Sequence, residues 1–159
     1  MTIINIIWWM AFLSLGLIAE SLLPGTDVLL IGLIIALQEG KIAQIIWVFL
    51  AVILLQEGIG TLAFGSSILS YTAVVLIFYG ARALLEQENI LFVLMVAVSA
   101  GIGHYAFTEA MAALQNISLP AERLAMESFT QMLLLPPLWI FTFALRGKMV
   151  PHAQNRTGN

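Results

Sequence analysis

The sequence predicts an all-α fold, a polytopic bundle of about six transmembrane helices. Hydrophobic residues make up 61% of the 159 residues and charged residues only 9%, whereas a soluble domain usually carries about 25% charged residues. The apolar residues also form runs that approach the roughly 20 residues with which a helix crosses a bilayer. A chain with so few charges cannot cover a soluble surface. We therefore expect an integral membrane protein surrounded by membrane lipid.

The first two spans are predicted at about residues 4–23 and 28–37. The first ends at Pro24-Gly25, a pair that breaks helices. No Lys or Arg precedes it, so we interpret it as a retained helix and not as a cleaved signal peptide. The second run has only ten apolar residues and covers roughly half of a hydrocarbon core about 30 Å thick. It is therefore either a short span or a re-entrant segment.

Four further spans are predicted at about residues 42–63, 68–85, 90–112 and 128–145, which gives six in all. A tight turn at 64–67 and a charged turn at 86–89 separate three of them, and the polar stretch 113–127 suits a short interfacial segment. The last span contains Pro136 and Pro137, which remove backbone donors and should kink or break the helix. We expect one transmembrane domain over residues 1–146 and a polar, disordered cytoplasmic tail over 147–159.

The distribution of Lys and Arg predicts a cytoplasmic C-terminus. With that placement five of the six basic residues lie inside and only Arg123 lies outside, as the positive-inside rule requires. The five are Lys41, Arg82, Arg146, Lys148 and Arg156. We therefore expect a multi-pass protein of the bacterial inner membrane. Because the N-terminus carries no Lys or Arg, the rule does not distinguish six spans from five spans plus a re-entrant segment.

Three glutamates, Glu20, Glu57 and Glu109, fall near the outer ends of their predicted spans. A charged side chain costs roughly 2.5–3.5 kcal/mol at the bilayer centre and less towards the interface. Either all three end their helices at the headgroups, or they form an outer polar cluster in which Glu57 is a buried carboxylate facing a cavity. Gln-Glu-Gly occurs at 38–40 and again at 56–58. The predicted orientation places Glu39 and Glu57 at opposite ends, so we interpret this recurrence as chance.

Small residues precede the histidine in the fifth span. Ala97 and Gly101 are four residues apart and Gly103 follows, a pattern that allows a second helix to approach closely. His104 would then hydrogen-bond across this contact, to Glu57 or to Tyr71. A packing histidine with a satisfied ring and a proton relay are both compatible with this position. A metal ligand is disfavoured because no second His or Cys lies near it.

Catalytic and cofactor motifs are absent from the sequence. It has no cysteine, no Gly-rich phosphate loop, no nucleophile motif and no paired zinc ligands. We therefore expect neither an enzyme nor a cofactor or metal site. A net charge of −3 does not suggest nucleic-acid binding.

The order of these features resembles the MreD family of bacterial inner-membrane proteins that determine rod shape. The local match is the tripeptide at 56–58 followed by "FGSSILSY" at 64–71, with Asn89 leading into the fifth span. Family members have an acidic residue that ends one helix, a short turn before Gly, and an apolar helix with a Tyr. Glu57 stands where the family usually has Asp. The likeness in layout extends over nearly the whole chain.

This resemblance implies a non-catalytic scaffold of the cell-elongation complex that synthesises peptidoglycan. The implied partners are an MreC-like single-span periplasmic protein and the peptidoglycan synthase complex organised by actin-like MreB, and a homo-oligomer is also compatible. Inside lipid, helices associate through small residues and polar contacts. The expected packing or partner interface therefore comprises Glu57, Tyr71, Ala97, Gly101, Gly103 and His104.

A second hypothesis comes from another class of protein. The membrane substrate-binding subunits of energy-coupling-factor vitamin transporters have a similar size and about six helices, and they bind solutes in the outer half of the membrane. Tyr71, Trp47 and Trp139 would be candidate ligands for such a solute. An alanine motif on the first helix would be needed to dock the transport module, but only Ala11 and Ala19 occur there. An outer cavity lined by Glu57, Tyr71 and His104 would favour this alternative.

Overall fold

The computed structural model describes residues 3–23, 25–59, 65–87 and 89–150. Within these ranges the chain forms six α-helices and no strand, which confirms the predicted all-α bundle. The helices are α1 (Ile3–Leu22), α2 (Leu29–Glu39), α3 (Ile42–Ile59), α4 (Ser66–Arg82), α5 (Ile90–Leu114) and α6 (Ala121–Met149).

Short connections join the helices, and local sequence signals set their ends. Gly40 adopts φ 65° directly after α2, in the left-handed region that favours glycine. The Asn89 side chain accepts a hydrogen bond of 2.9 Å from the backbone N–H of Leu91 and so caps the start of α5. Gly65, at φ 102°, precedes α4. Ser66 and Ser67 belong to α4 itself, so the predicted turn at 64–67 is shorter than expected; residues 60–64 lie outside the described residues.

Helix α2 is the central helix of the bundle. Its first ten residues, Leu29–Gln38, are all buried, and it packs against α1, α3, α4 and α6. A helix of 11 residues is only about 16 Å long, but protein surrounds it on every side. Its first turn lies beside Glu20 and its last residue beside Arg146, at opposite ends of the bundle. It therefore connects the two ends of the bundle through its interior.

The outer surface of the bundle is apolar. Large hydrophobic side chains are exposed along the other five helices, from Ile3 (76%) on α1 to Phe141 (66%) on α6. Exposed apolar area on this scale is typical of a surface in contact with lipid. Three of the described helices, α1, α5 and α6, are long and apolar enough to cross a membrane. The protein is therefore a membrane protein.

Helix α6 differs from the sequence prediction. It begins at Ala121, so residues 121–127 form its first turns and not a separate interfacial segment, and it continues to Met149. The first residues of the predicted tail, 147–149, are therefore helical, and 151–159 lie outside the described residues. Pro136 and Pro137 lie inside α6 and do not end it.

Helices α5 and α6 approach each other closely at Gly101. A Cβ atom built at this residue would lie 2.3 Å from Cγ of Met132 and 2.9 Å from the backbone oxygen of Ser128. Ala97, one turn earlier, is fully buried. Gly103 is different, because a Cβ there would meet only Phe107, at 3.6 Å. The close contact thus depends on Gly101 and not on Gly103.

Candidate functional site

Two clusters of hydrogen-bonded polar side chains lie in the described part of the bundle, one at each end of α2. The arginine cluster comprises Asn5, Glu39, Gln44 and Arg146. The acidic cluster comprises Glu20, Asp27, Gln56 and Tyr71. Along α1, Asn5 and Glu20 are 15 positions apart, which corresponds to about 22 Å and is less than a hydrocarbon core of about 30 Å. Both clusters therefore lie within or at the edge of the apolar part of the bundle.

The arginine cluster joins four helix ends around a buried ion pair. Arg146 is 2% exposed and donates two hydrogen bonds to the Glu39 carboxylate and one of 2.8 Å to Asn5 Oδ1. Gln44 donates to Glu39 at 2.7 Å and accepts from Asn5 at 3.1 Å. These contacts satisfy charges that would otherwise be costly to bury. The cluster therefore acts as a structural tie between α1, α2, α3 and α6.

Two tryptophans enclose the Arg146 guanidinium. Its central carbon lies 4.3 Å from the Trp8 ring centroid and 4.7 Å from that of Trp9, within cation–π distance. Both indoles are buried, at 6% and 0% exposure. Tryptophans at the end of a predicted span usually indicate a membrane interface. Here they face inward because they pack against the arginine that enters from α6.

The acidic cluster holds two carboxylates next to the connection between α1 and α2. Glu20 accepts hydrogen bonds of 2.9 Å from the backbone N–H of Leu29 and from Gln56 Nε2. Asp27 accepts from the Tyr71 hydroxyl at 2.5 Å and from the backbone N–H of Leu30 at 2.9 Å. The two backbone donors are orphan N–H groups of the first turn of α2. Both carboxylates thus stabilise the positive end of the central helix.

Burial raises the pKa of Asp27, which lies in the connection between α1 and α2, outside the helices. The hydrogen bonds from Tyr71 and from the backbone of Leu30 act in the opposite direction because they favour the charged form. The burial effect is the larger of the two. Removal of water from around this carboxylate therefore outweighs its hydrogen bonds.

A small cavity adjoins the acidic cluster between α2, α4, α5 and α6. Its volume is about 40 Å³, and its polar lining comprises Asp27, Ser70, Tyr71, Ser99, His104 and Gln131. A water molecule needs roughly 10–15 Å³ of such space, so the cavity has room for about three molecules of that size. Two buried polar atoms, Nε2 of His104 and Oε1 of Gln131, have no hydrogen-bond partner among the described residues. This cavity is the candidate functional site.

Only some of the site residues predicted from the sequence lie close together in the structure. Tyr71 and His104 line the same cavity, but the Tyr71 hydroxyl donates to Asp27 and not to His104. The predicted contact of His104 with Glu57 is wrong. The Glu57 carboxylate instead accepts hydrogen bonds of 3.0 and 2.9 Å from the backbone N–H groups of Gly65 and Ser67, at the start of α4.

The predicted outer cluster of three glutamates does not form. Glu20 belongs to the acidic cluster, Glu57 caps α4, and the Glu109 side chain is exposed. Glu39 and Glu57 have different surroundings, since Glu39 pairs with Arg146 at the other end of α2. In the described part of the chain, no three His, Cys, Asp or Glu side chains are grouped so that they could hold a metal ion.

Three residues of the site were not predicted from the sequence: Asp27, Gln56 and Gln131. Asp27 and Gln131 line the cavity, and Gln56 links Asp27 to Glu20. An isolated amide inside an apolar helix is a usable signal, because burying it without a partner is costly. Gln44 and Gln131 both fit that description. Asp27 looked like an ordinary loop residue because it follows the breaker pair at 24–25.

No family model, curated protein or solved structure matches this chain.

Proposed function

We propose that this protein is a non-catalytic, multi-pass scaffold of the bacterial inner membrane, with its C-terminus in the cytoplasm, that assembles partner proteins of the cell-elongation complex. One observation carries the proposal. The charged side chains at the two ends of α2 are held by internal hydrogen bonds, so the faces left for other proteins are the apolar outer faces of the helices. A bundle tied at both ends of α2 suits the docking of single-span partners.

The MreD-like residues support this proposal through the part they play in the fold. Glu57, at the acidic position of the resemblance, ties the end of α3 to the start of α4. Tyr71 ties α4 to the α1–α2 connection. A family that keeps an acidic residue and a tyrosine at these two positions would thereby keep the same helix arrangement. An MreC-like single-span periplasmic protein is the partner that we propose.

A second candidate function is that of a solute-binding membrane subunit of a vitamin transporter. The polar cavity lined by Tyr71 and His104 favours it. The volume of about 40 Å³ argues against it, because pockets for small organic molecules occupy about 300–1,000 Å³. Trp47 and Trp139 also lie away from this cavity: Trp47 packs against Trp9, and Trp139 donates to Gln38 near the other end of α2.

Co-purification from native membranes separates the two functions. The tagged full-length chain is extracted in a mild detergent, and its partners are identified by mass spectrometry. Recovery of a single-span periplasmic protein together with a transpeptidase or glycosyltransferase is the result expected for the scaffold. Recovery of two ATPases with a second membrane subunit would overturn the scaffold and support the transporter.

Two matched variants add residue-level evidence. Glu57→Ala removes the tie between α3 and α4, so we expect it to weaken recovery of the partners. Glu86→Ala removes an exposed carboxylate from the connection between α4 and α5 and should leave recovery unchanged. Equal recovery with both variants, each still monodisperse in detergent, would contradict a role for the Glu57 region in assembly.

A further inference from the structure

The cavity beside the acidic cluster has a wall rich in hydrogen-bond acceptors. Gln131 is 4% exposed, lines the cavity, and has no described partner for its Oε1 atom. Nε2 of His104, which lines the same cavity, also lacks a described partner. A buried polar atom without a partner is costly, so such atoms in native proteins usually contact water, an ion or a ligand. Two of them at one cavity point to a ligand in it.

The charge around the cavity indicates the sign of that ligand. Asp27 lines the cavity, and Glu20 is linked to it through Gln56, whose Nε2 lies 2.9 Å from the Glu20 carboxylate and 3.5 Å from that of Asp27. No Lys or Arg is among the described residues that line the cavity. Two ionised carboxylates away from water are costly unless a proton or a cation neutralises them. A ligand in the cavity is therefore favoured if it is a cation.

The size of the cavity and its ligand set restrict that cation further. About 40 Å³ admits species of the size of water and excludes organic cations such as choline. Calcium sites use six to eight oxygen ligands, often from several carboxylates, and magnesium keeps most of its own waters. Asp27 is the one carboxylate among the described residues that line this cavity. One carboxylate among the lining residues suits a monovalent cation better than a divalent one.

We propose that the cavity is a binding site for one small monovalent cation, sodium or ammonium, held between the Asp27 carboxylate and the amide oxygen of Gln131. The Tyr71 hydroxyl, which donates to Asp27, orients that carboxylate. His104 and the serines at 70 and 99 complete the polar lining. Since the lining residues come from α4, α5, α6 and the α1–α2 connection, the cation would hold these parts of the bundle together. This site is independent of the proposed scaffold function.

Protons compete with the cation for Asp27. The other titratable groups that face it are Glu20 on α1, Tyr71 on α4 and His104 on α5, and Glu127 on α6 lies close enough to act on His104. Burial raises the pKa of Asp27. Above its ordinary pKa and below the raised one, the folded chain without a cation holds a proton there. The stabilisation by a cation should therefore increase as the pH rises through this window.

The test measures the thermal unfolding midpoint of the purified full-length protein in detergent, with increasing sodium, ammonium or choline chloride at constant ionic strength. For the wild type we expect a saturable rise with sodium or ammonium but not with choline. The rise should reach roughly 5–10 °C at about 100 times the dissociation constant. Asp27→Asn and Gln131→Met should abolish it, and Glu57→Gln, outside the cavity, should retain it.

A response to sodium alone or to ammonium alone identifies the cation and supports the site. An equal response to choline, no response, or a response that survives in both cavity variants would overturn the proposal. If neither cavity variant folds, sodium NMR relaxation on the wild type decides. One saturable site per chain that protons displace supports the proposal, and no saturable site refutes it.

Discussion

Replacement of Arg146 by methionine tests whether the arginine cluster holds the bundle together. The substitution keeps an unbranched apolar side chain but removes the guanidinium group, with its charge and its donors. It deletes two hydrogen bonds to Glu39 and one to Asn5, together with the cation–π contacts to Trp8 and Trp9. Glu39, whose side chain is 5% exposed, would remain as a buried charge without its main partner.

The expected loss follows from these contacts. Hydrogen bonds to charged groups are worth about 1.5–3 kcal/mol each, and each cation–π contact adds about 0.5–2 kcal/mol. Desolvation of the two ions offsets much of this sum, so breaking one buried pair typically costs about 3–5 kcal/mol. Lys41 Nζ lies 3.6 Å from Glu39, but its side chain is 37% exposed and compensates only weakly. We therefore expect Arg146→Met to cost about 3–5 kcal/mol.

Unfolding in detergent, followed by tryptophan fluorescence or circular dichroism, measures this loss. A loss of this size corresponds to a fall in the unfolding midpoint of roughly 6–20 °C. Arg82→Met removes an exposed arginine at the end of α4 and should change stability by less than about 0.5 kcal/mol.

The double variant Arg146→Met/Glu39→Gln sharpens the test. Because it removes both charges, it should be at least as stable as the less stable single variant, so the two single losses should not add. The reasoning is refuted if Arg146→Met costs less than about 1 kcal/mol, or if the two single losses add to give that of the double variant.

Substitutions at four further positions have outcomes that the structure predicts. Gly101→Ala places a Cβ 2.3 Å from a methionine side chain of α6 and should lower the free energy of unfolding in detergent by about 1–3 kcal/mol. Gly103→Ala, whose nearest contact is at 3.6 Å, should leave it almost unchanged. Equal effects of the two substitutions would contradict the close approach of α5 and α6 at Gly101. Tyr71→Phe removes the donor to Asp27 and should lower the free energy of unfolding by about 1–3 kcal/mol, a prediction that an unchanged midpoint would refute. Glu57→Ala removes the acceptor at the start of α4 and should lower the free energy of unfolding by about 0.5–2 kcal/mol. Glu57→Gln keeps an acceptor and loses only the charge, so its loss should be smaller. The opposite order would show that Glu57 does not stabilise the protein by capping α4.

Local sequence signals predicted the helices well because hydropathy and helix ends are local properties. The predicted starts of the second, third and fifth helices agree with α2, α3 and α5 to within one residue. Helix α6 was predicted too short because the polar stretch 121–127 was interpreted as an interface, whereas the helix carries its polar residues out of the apolar region. Pro136 and Pro137 were expected to interrupt it, but surrounding helices can keep a proline-containing helix continuous.

The candidate site could be predicted only in part. Tyr71 and His104 stood out as polar residues in apolar helices, and both line the cavity. Their partners did not follow from the sequence, because a hydrogen bond between Tyr71 and Asp27 joins residues 44 positions apart. Spacing along one helix carries no information about which residue of another helix faces it.

The sequence by itself determined that this is an all-α membrane protein with about six helices, because composition and the length of apolar runs already set the cost of exposing the chain to water. Only the tertiary structure decided what the polar residues do. It placed the short helix α2 at the centre, where protein and not lipid covers it. It also paired Glu39 with Arg146, 107 positions away, and assembled the cavity beside Asp27. A buried charge is costly unless another group compensates it, and which group lies close enough to do so depends on how the helices pack.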